Sequence, residues 1–97
     1  MKNLVIICVF LTAVFAGAQD AVLFNQGKES YKAEHYNQAI QDWKTILKQG
    51  NHSASLYFNI ANAHYKLNEV GPSIYYYEKA LQLAPNDKGI KANLVFA

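Results

Sequence analysis

Residues Ala54–Pro85 read ASLYFNIANAHYKLNEVGPSIYYYEKALQLAP, and this stretch decides the fold. In its first half Tyr57, Ile60, Ala61 and His64 recur at i, i+3, i+4 and i+7, the spacing of one face of a helix. Ser53 stands just before it, where a hydroxyl can accept from the free N–H groups of the first turn. The second half opens at Gly71-Pro72, and a proline in the first turn loses no hydrogen bond, because its N–H would have had no acceptor there. Ile74, Tyr77, Leu81 and Ala84 form the expected inner stripe of this second helix, and Pro85 stops it. The short link Asn68-Glu69-Val70-Gly71 implies that the two helices lie antiparallel.

Outward from this unit the chain repeats itself. Setting Asp20–Ser53 above Ala54–Asp87 aligns without a gap at a period of 34 residues. Identities fall at Phe24/Phe58, Asn25/Asn59, Tyr31/Tyr65, Lys32/Lys66, Ile40/Ile74 and Leu47/Leu81. Gly27/Ala61 and Ala39/Ser73 keep small residues in step, with Trp43/Tyr77 as bulky neighbours. Two helices that cross closely need a short side chain at the contact and a large one beside it. In the first copy Asn37 is the expected N-cap of a helix over Gln38–Gln49, ended by Gly50-Asn51. After Pro85, the segment 88–97 is in register as the first helix of a third copy, with Asp87 as cap and Ile90 and Leu94 packing back.

The period and the placement of small, aromatic and proline residues resemble the tetratricopeptide repeat family. The second copy carries Tyr57, Ile60, Ala61, Ser73, Tyr77, Ala80 and Pro85 at the family's positions, whereas Gln26, Ile46 and Asn51 depart from them in the first. The resemblance implies an all-α solenoid: repeats over 20–53 and 54–87, then a partial third repeat or capping helix over 88–97. Among exported members, the runs Tyr57–Ala63 and Tyr75–Leu81, with Asn93-Leu94, resemble the tetratricopeptide component of the Bat aerotolerance operon of Bacteroides-like bacteria. Those proteins carry membrane and SH3-like segments that this sequence does not contain.

The front of the chain is read separately. Met1-Lys2-Asn3, an apolar run from Leu4 to Phe15 broken by Thr12, and Ala16-Gly17-Ala18 have the layout of a secretory signal peptide cut after Ala18. The run Leu4–Ala18 is shorter than the ~20 residues that span a bilayer. The expected location is therefore outside the cytoplasm, in a bacterial periplasm or envelope, with membrane contact only through export or an uncleaved anchor. Cys8, the one cysteine, falls inside the signal, so residues 19–97 must hold together by packing alone.

Charge excludes one class of partner. Nine lysines, no arginine, and seven acidic residues leave a net charge of +2, too weak and too scattered for a nucleic-acid surface. The sequence also offers no phosphate-cradling glycine loop, nucleophile elbow or paired carboxylates on one face. His35, His52 and His64 share no metal-ligand or triad spacing, so no enzyme activity, metal or cofactor is expected. His64 takes a core position and is read as a hydrogen-bonded, half-buried histidine. Asn51-His52-Ser53 fits the glycosylation pattern by three residues only.

The functional expectation is a protein or peptide partner. A second stripe on each first helix holds Phe24, Lys28, Tyr31 and Lys32, and then Phe58, Asn62, Tyr65 and Lys66, with Asn59 beside it. In the tetratricopeptide family this face lines the concave groove that holds a partner's peptide. Rings, lysines and amides suit an extended segment through apolar contact, backbone hydrogen bonds and attraction to carboxylates. The alternative for Phe24 and Phe58 is packing between repeats. The family's C-terminal carboxylate clamp is not expected. Asn59 matches it, but Phe24 and Lys28 replace its lysine and asparagine, and Gly89 and Asn93 stand where basic residues belong. Tyr75 and Tyr76 are expected to face outward, as a contact patch or under a further repeat. The apolar end Val95-Phe96-Ala97 implies a longer chain or a helix that docks onto something, an oligomer partner included. Two other readings are an adaptor region of a longer exported enzyme and an oligomerisation module.

Overall fold

Glu34, Gly50 and Asn68 take left-handed backbone conformations, with φ of 63°, 89° and 61°, and each one ends a helix. The residue after each reaches back five positions: His35 N–H to Ser30 O at 2.8 Å, Asn51 to Ile46 at 3.4 Å, Glu69 to His64 at 2.9 Å. These are Schellman turns, which satisfy carbonyls left over at a helix end. They cut the chain into α1 (Lys2–Lys32), α2 (Tyr36–Lys48), α3 (Ala54–Lys66) and α4 (Val70–Leu83), followed by α5 (Lys88–Phe96). In this computed structural model the backbone is described for residues 2–97 and the side chains for 17–97. The expected signal segment, 1–18, lies almost wholly outside the residues described in full. The described residues contain helices and no strand, and among residues 17–97 no helical stretch is long and apolar enough to cross a membrane.

Caps set the starts. Ser53 Oγ accepts from Leu56 N–H at 3.1 Å and Asp87 Oδ1 from Ile90 N–H at 3.0 Å, as the sequence implies. Asn37 is not a cap. The α2 helix begins at Tyr36 behind His35, which makes no side-chain cap bond, and Asn37 lies in the first turn. The reason is the turn at Glu34: once its backbone reverses the chain, His35 O already accepts from Ala39 N–H at 3.1 Å. The second copy launches α4 in the same way, from Glu69 O to Ser73 N–H at 3.1 Å. Pro72 therefore sits third in α4, still within the first turn, where no acceptor is missed.

The helices pack as consecutive antiparallel pairs around two cores that share α3. Ala39, Ile40, Trp43 and Ile46 of α2 meet Leu56, Ile60 and Ala63 of α3 in the first. Tyr57 and Ala61 of α3 meet Tyr77 and Ala80 of α4 and Ile90 of α5 in the second. The small residues act as expected. Ser73 and Ala61 are fully buried at the α3–α4 crossing, and Ser73 Oγ donates to Ala61 O at 3.1 Å. At the α1–α2 crossing the Trp43 indole lies across Gly27 and donates to Phe24 O at 3.1 Å.

Two expectations are corrected. The buried stripe of α4 is Ser73, Tyr77 and Ala80, while Ile74 and Leu81 are only half-buried. Small Ser73 and Ala80 draw α4 close to α3 on either side of Tyr77, which leaves Ile74 and Leu81 at the edges of the contact. Tyr76 does not face outward either. It packs against both cores, stacks on the His64 ring at 5.6 Å and on Tyr57 at 6.0 Å, and lies beneath Lys44 Nζ. Tyr75 alone is outward, 53% exposed, with Lys79 Nζ 5.5 Å above its ring.

Candidate functional site

The first helices α1, α3 and α5 bring the expected stripe together on one side of the molecule. Lys28, Tyr31 and Lys32 of α1 and Asn59 and Asn62 of α3 line a cleft of about 160 Å³ floored by Trp43. Tyr31 and Asn62 continue into a second cleft of about 270 Å³, completed by Tyr65, Lys66, Tyr77, Asn93 and Phe96. Two residues shared by both make this one run across three helices.

Not every expected residue lines it. Phe24 is half-buried against the first core, with Lys28 Nζ 5.7 Å above its ring. Phe58 is half-buried against the second core and meets the Tyr77 ring at 5.9 Å. Both rings fill the space between helices, and the run is built from the residues one turn further on. Trp43, Tyr77, Asn93 and Phe96 join it without having been expected there. Trp43 and Tyr77 read as core residues in sequence, and they are, at 1% and 2% exposed, yet each also borders one of the clefts. Asn93 had a signal in its repeat register, since it occupies the position of Asn25 and Asn59.

Hydrogen bonds fix the middle of the run. Asn62 Oδ1 accepts from the Tyr77 hydroxyl and from Asn93 Nδ2, the latter at 3.0 Å. Burial pushes the Tyr77 hydroxyl above its ordinary pKa of 10.0, so it remains a protonated donor at neutral pH. Tyr31 is shifted the same way, first by burial and then by Tyr36, whose ring meets it edge-on at 5.1 Å. Neither cleft is lined by a carboxylate. The lysines are exposed, and Lys32 holds Glu29 only loosely at 3.7 Å.

The histidines stand apart from this surface. His64 is 7% exposed, and its Nδ1 meets Glu69 Oε1 at 3.1 Å while Nε2 is buried without a partner. His52 pairs with the Tyr57 hydroxyl at the turn before α3. Among the described residues no three His, Cys, Asp or Glu side chains come together as a metal site.

The repetition is thus geometric as well as sequential: equal turns at Glu34 and Asn68, small-residue crossings at Gly27 and Ala61, and aromatic fillers at Trp43 and Tyr77. The second copy carries the decisive match. Residues 54–87 match the tetratricopeptide repeat family. No curated protein matches the chain. The match ends where the second copy ends, and the first copy shares the turn geometry of the tetratricopeptide unit despite its departures at Gln26, Ile46 and Asn51. A tetratricopeptide repeat points to a non-catalytic interaction module, one that offers helix faces to a partner.

Proposed function

We propose that the chain is a protein–protein interaction scaffold that holds an extended segment of a partner along the run from Lys28 to Phe96. The observation that carries this reading is the continuity of the two clefts through Tyr31 and Asn62. Its rings, amides and lysines combine apolar contact with hydrogen-bond donors for a peptide backbone. Phe24 and Phe58 pack against the two cores and hold the helices that carry the groove. A pull-down with the triple variant Phe58→Ala, Tyr65→Ala, Lys66→Ala tests it. A folded triple variant that keeps every partner of the wild type contradicts the groove.

The layout of residues 1–18 supports export, with the module acting in the periplasm or envelope of a bacterium. The resemblance to the Bat component supports a place in an aerotolerance or stress-related envelope complex. Fractionation with an antibody against residues 19–97 tests export, and recovery of all the protein in the cytoplasm contradicts it. A second reading has its own observation. Val95 is 84% and Phe96 77% exposed on α5, which favours self-association through that helix. Light scattering decides it, and a clean monomer excludes it.

A further inference from the structure

Asn62 stands where α3, α4 and α5 meet. A carboxamide oxygen has two lone pairs. Both on Asn62 are taken, one by the Tyr77 hydroxyl and one by Asn93 Nδ2. Its amide nitrogen makes no hydrogen bond to a described side chain or backbone group and is not among the buried, unpartnered atoms. Asn62 lines both clefts, so the two N–H groups are what it offers there. The neighbours repeat this polarity, with Lys28, Lys32 and Asn59 on one side and Lys66 on the other, and no carboxylate among them.

We propose that the groove selects an extended segment bearing acidic side chains, and that Asn62, locked by Tyr77 and Asn93, donates to one of those carboxylates. The inference rests on the groove reading and adds to it the chemistry of the partner. A freely turning asparagine would serve a donor or an acceptor equally well. One whose oxygen is already satisfied serves acceptors only, and a charged acceptor gives the stronger bond. Because Asn93 belongs to α5, this polarity depends on that helix being docked. A basic partner meets lysines and an unpaired N–H, with nothing to compensate it.

The test uses fluorescein-labelled, C-terminally amidated peptides of alternating glutamate and alanine, with glutamine and lysine counterparts, titrated into the full chain. Amidation removes the terminal carboxylate as a source of charge, and a free-acid glutamine peptide restores it. The glutamate peptide is expected to bind roughly tenfold or more tighter than the glutamine one, and the lysine peptide weakest. Asn62→Asp keeps the acceptor for Tyr77 and Asn93, removes the donor and adds a like charge, so the glutamate peptide should lose most of its advantage over the glutamine one. In the wild type the Asn62 side-chain amide resonance should move with glutamate and stay with glutamine, which gives the answer without a variant. Equal binding of both peptides, with Tyr31 and Tyr65 resonances moving in each, overturns acidic selection and leaves the groove standing. Binding of the free-acid glutamine peptide alone assigns the terminal carboxylate instead and overturns the proposal. If no peptide moves Tyr31, Asn62 or Tyr65, the groove reading fails with it.

Discussion

Replacing Gly27 by alanine puts a methyl group into the indole of Trp43. A Cβ built there lies 2.6 Å from Trp43 Cε2 and 2.8 Å from Cδ1, and closer still to Nε1. Real Cβ contacts do not come that close, so either the ring or α1 must move. The ring cannot move cheaply: Trp43 is 1% exposed, and its N–H holds Phe24 O at 3.1 Å. Overpacking of this kind costs about 1–3 kcal/mol, and loss of the indole hydrogen bond about 1 kcal/mol more. Alanine's better helix propensity returns about 1 kcal/mol. The net expectation is a loss of about 1–3 kcal/mol, larger for Gly27→Leu, which in a domain of this size is a fall of roughly 4–8 °C in Tm per kcal/mol. Urea unfolding followed by circular dichroism measures it, and Trp43, the only tryptophan, reports locally by fluorescence. Gly71→Ala is the control, because nothing lies within 4 Å of a Cβ there. If Gly27→Ala is as stable as the wild type, with unchanged Trp43 emission, the close α1–α2 crossing is wrong.

Three further outcomes are expected. Glu34→Gly should stabilise by about 0.5–1 kcal/mol in urea unfolding, since a non-glycine residue at φ 63° is strained, while Asn68→Gly should gain less because asparagine tolerates that conformation. Tyr76→Ala should destabilise by about 1–3 kcal/mol through its lost ring contacts, and Tyr75→Ala should stay within about 0.5 kcal/mol, which separates the packed ring from the outward one. Tyr31 and Tyr77 ionise above the ordinary 10.0, so the folded chain retains protons that the unfolded chain releases. Their contribution is complete below about pH 10 and is lost as the pH rises through the folded values. Denaturation midpoints falling above that pH in the wild type, and falling less in Tyr77→Phe, would show it.

Helix existence was legible because burial follows the 3.6-residue period, and α3 is the clearest case: Tyr57, Ile60, Ala61 and His64 are all buried. The Gly27–Trp43 contact was legible too, since a glycine in a helical pattern needs a reason and a tryptophan one repeat-half later supplies it. The start of α2 was not, because a backbone Schellman turn at Glu34 set it, and a glutamate in the left-handed region leaves no mark in composition. The rotation of α4 escaped because apolarity pointed to Ile74 and Leu81, whereas close approach selects for size and buries Ser73 and Ala80. Tyr76 escaped because its alignment partner Asp42 is polar, and a pairing of repeats says nothing of contacts between them. In the groove the lysines and amides were legible as a stripe. The lock on Asn62 was not, since Asn62, Tyr77 and Asn93 meet only when three helices pack.

The claim that binding runs along the groove is tested most directly by placing photoreactive p-benzoylphenylalanine at Tyr65 or at Tyr75 in the native host. Tyr65 lines the groove, while Tyr75 lies on the outward side of α4. Irradiation should give a discrete adduct from position 65 and none from position 75, and Lys28→Glu with Lys66→Glu should abolish it. An adduct from position 75 alone, or one from position 65 that survives both charge reversals, contradicts the account.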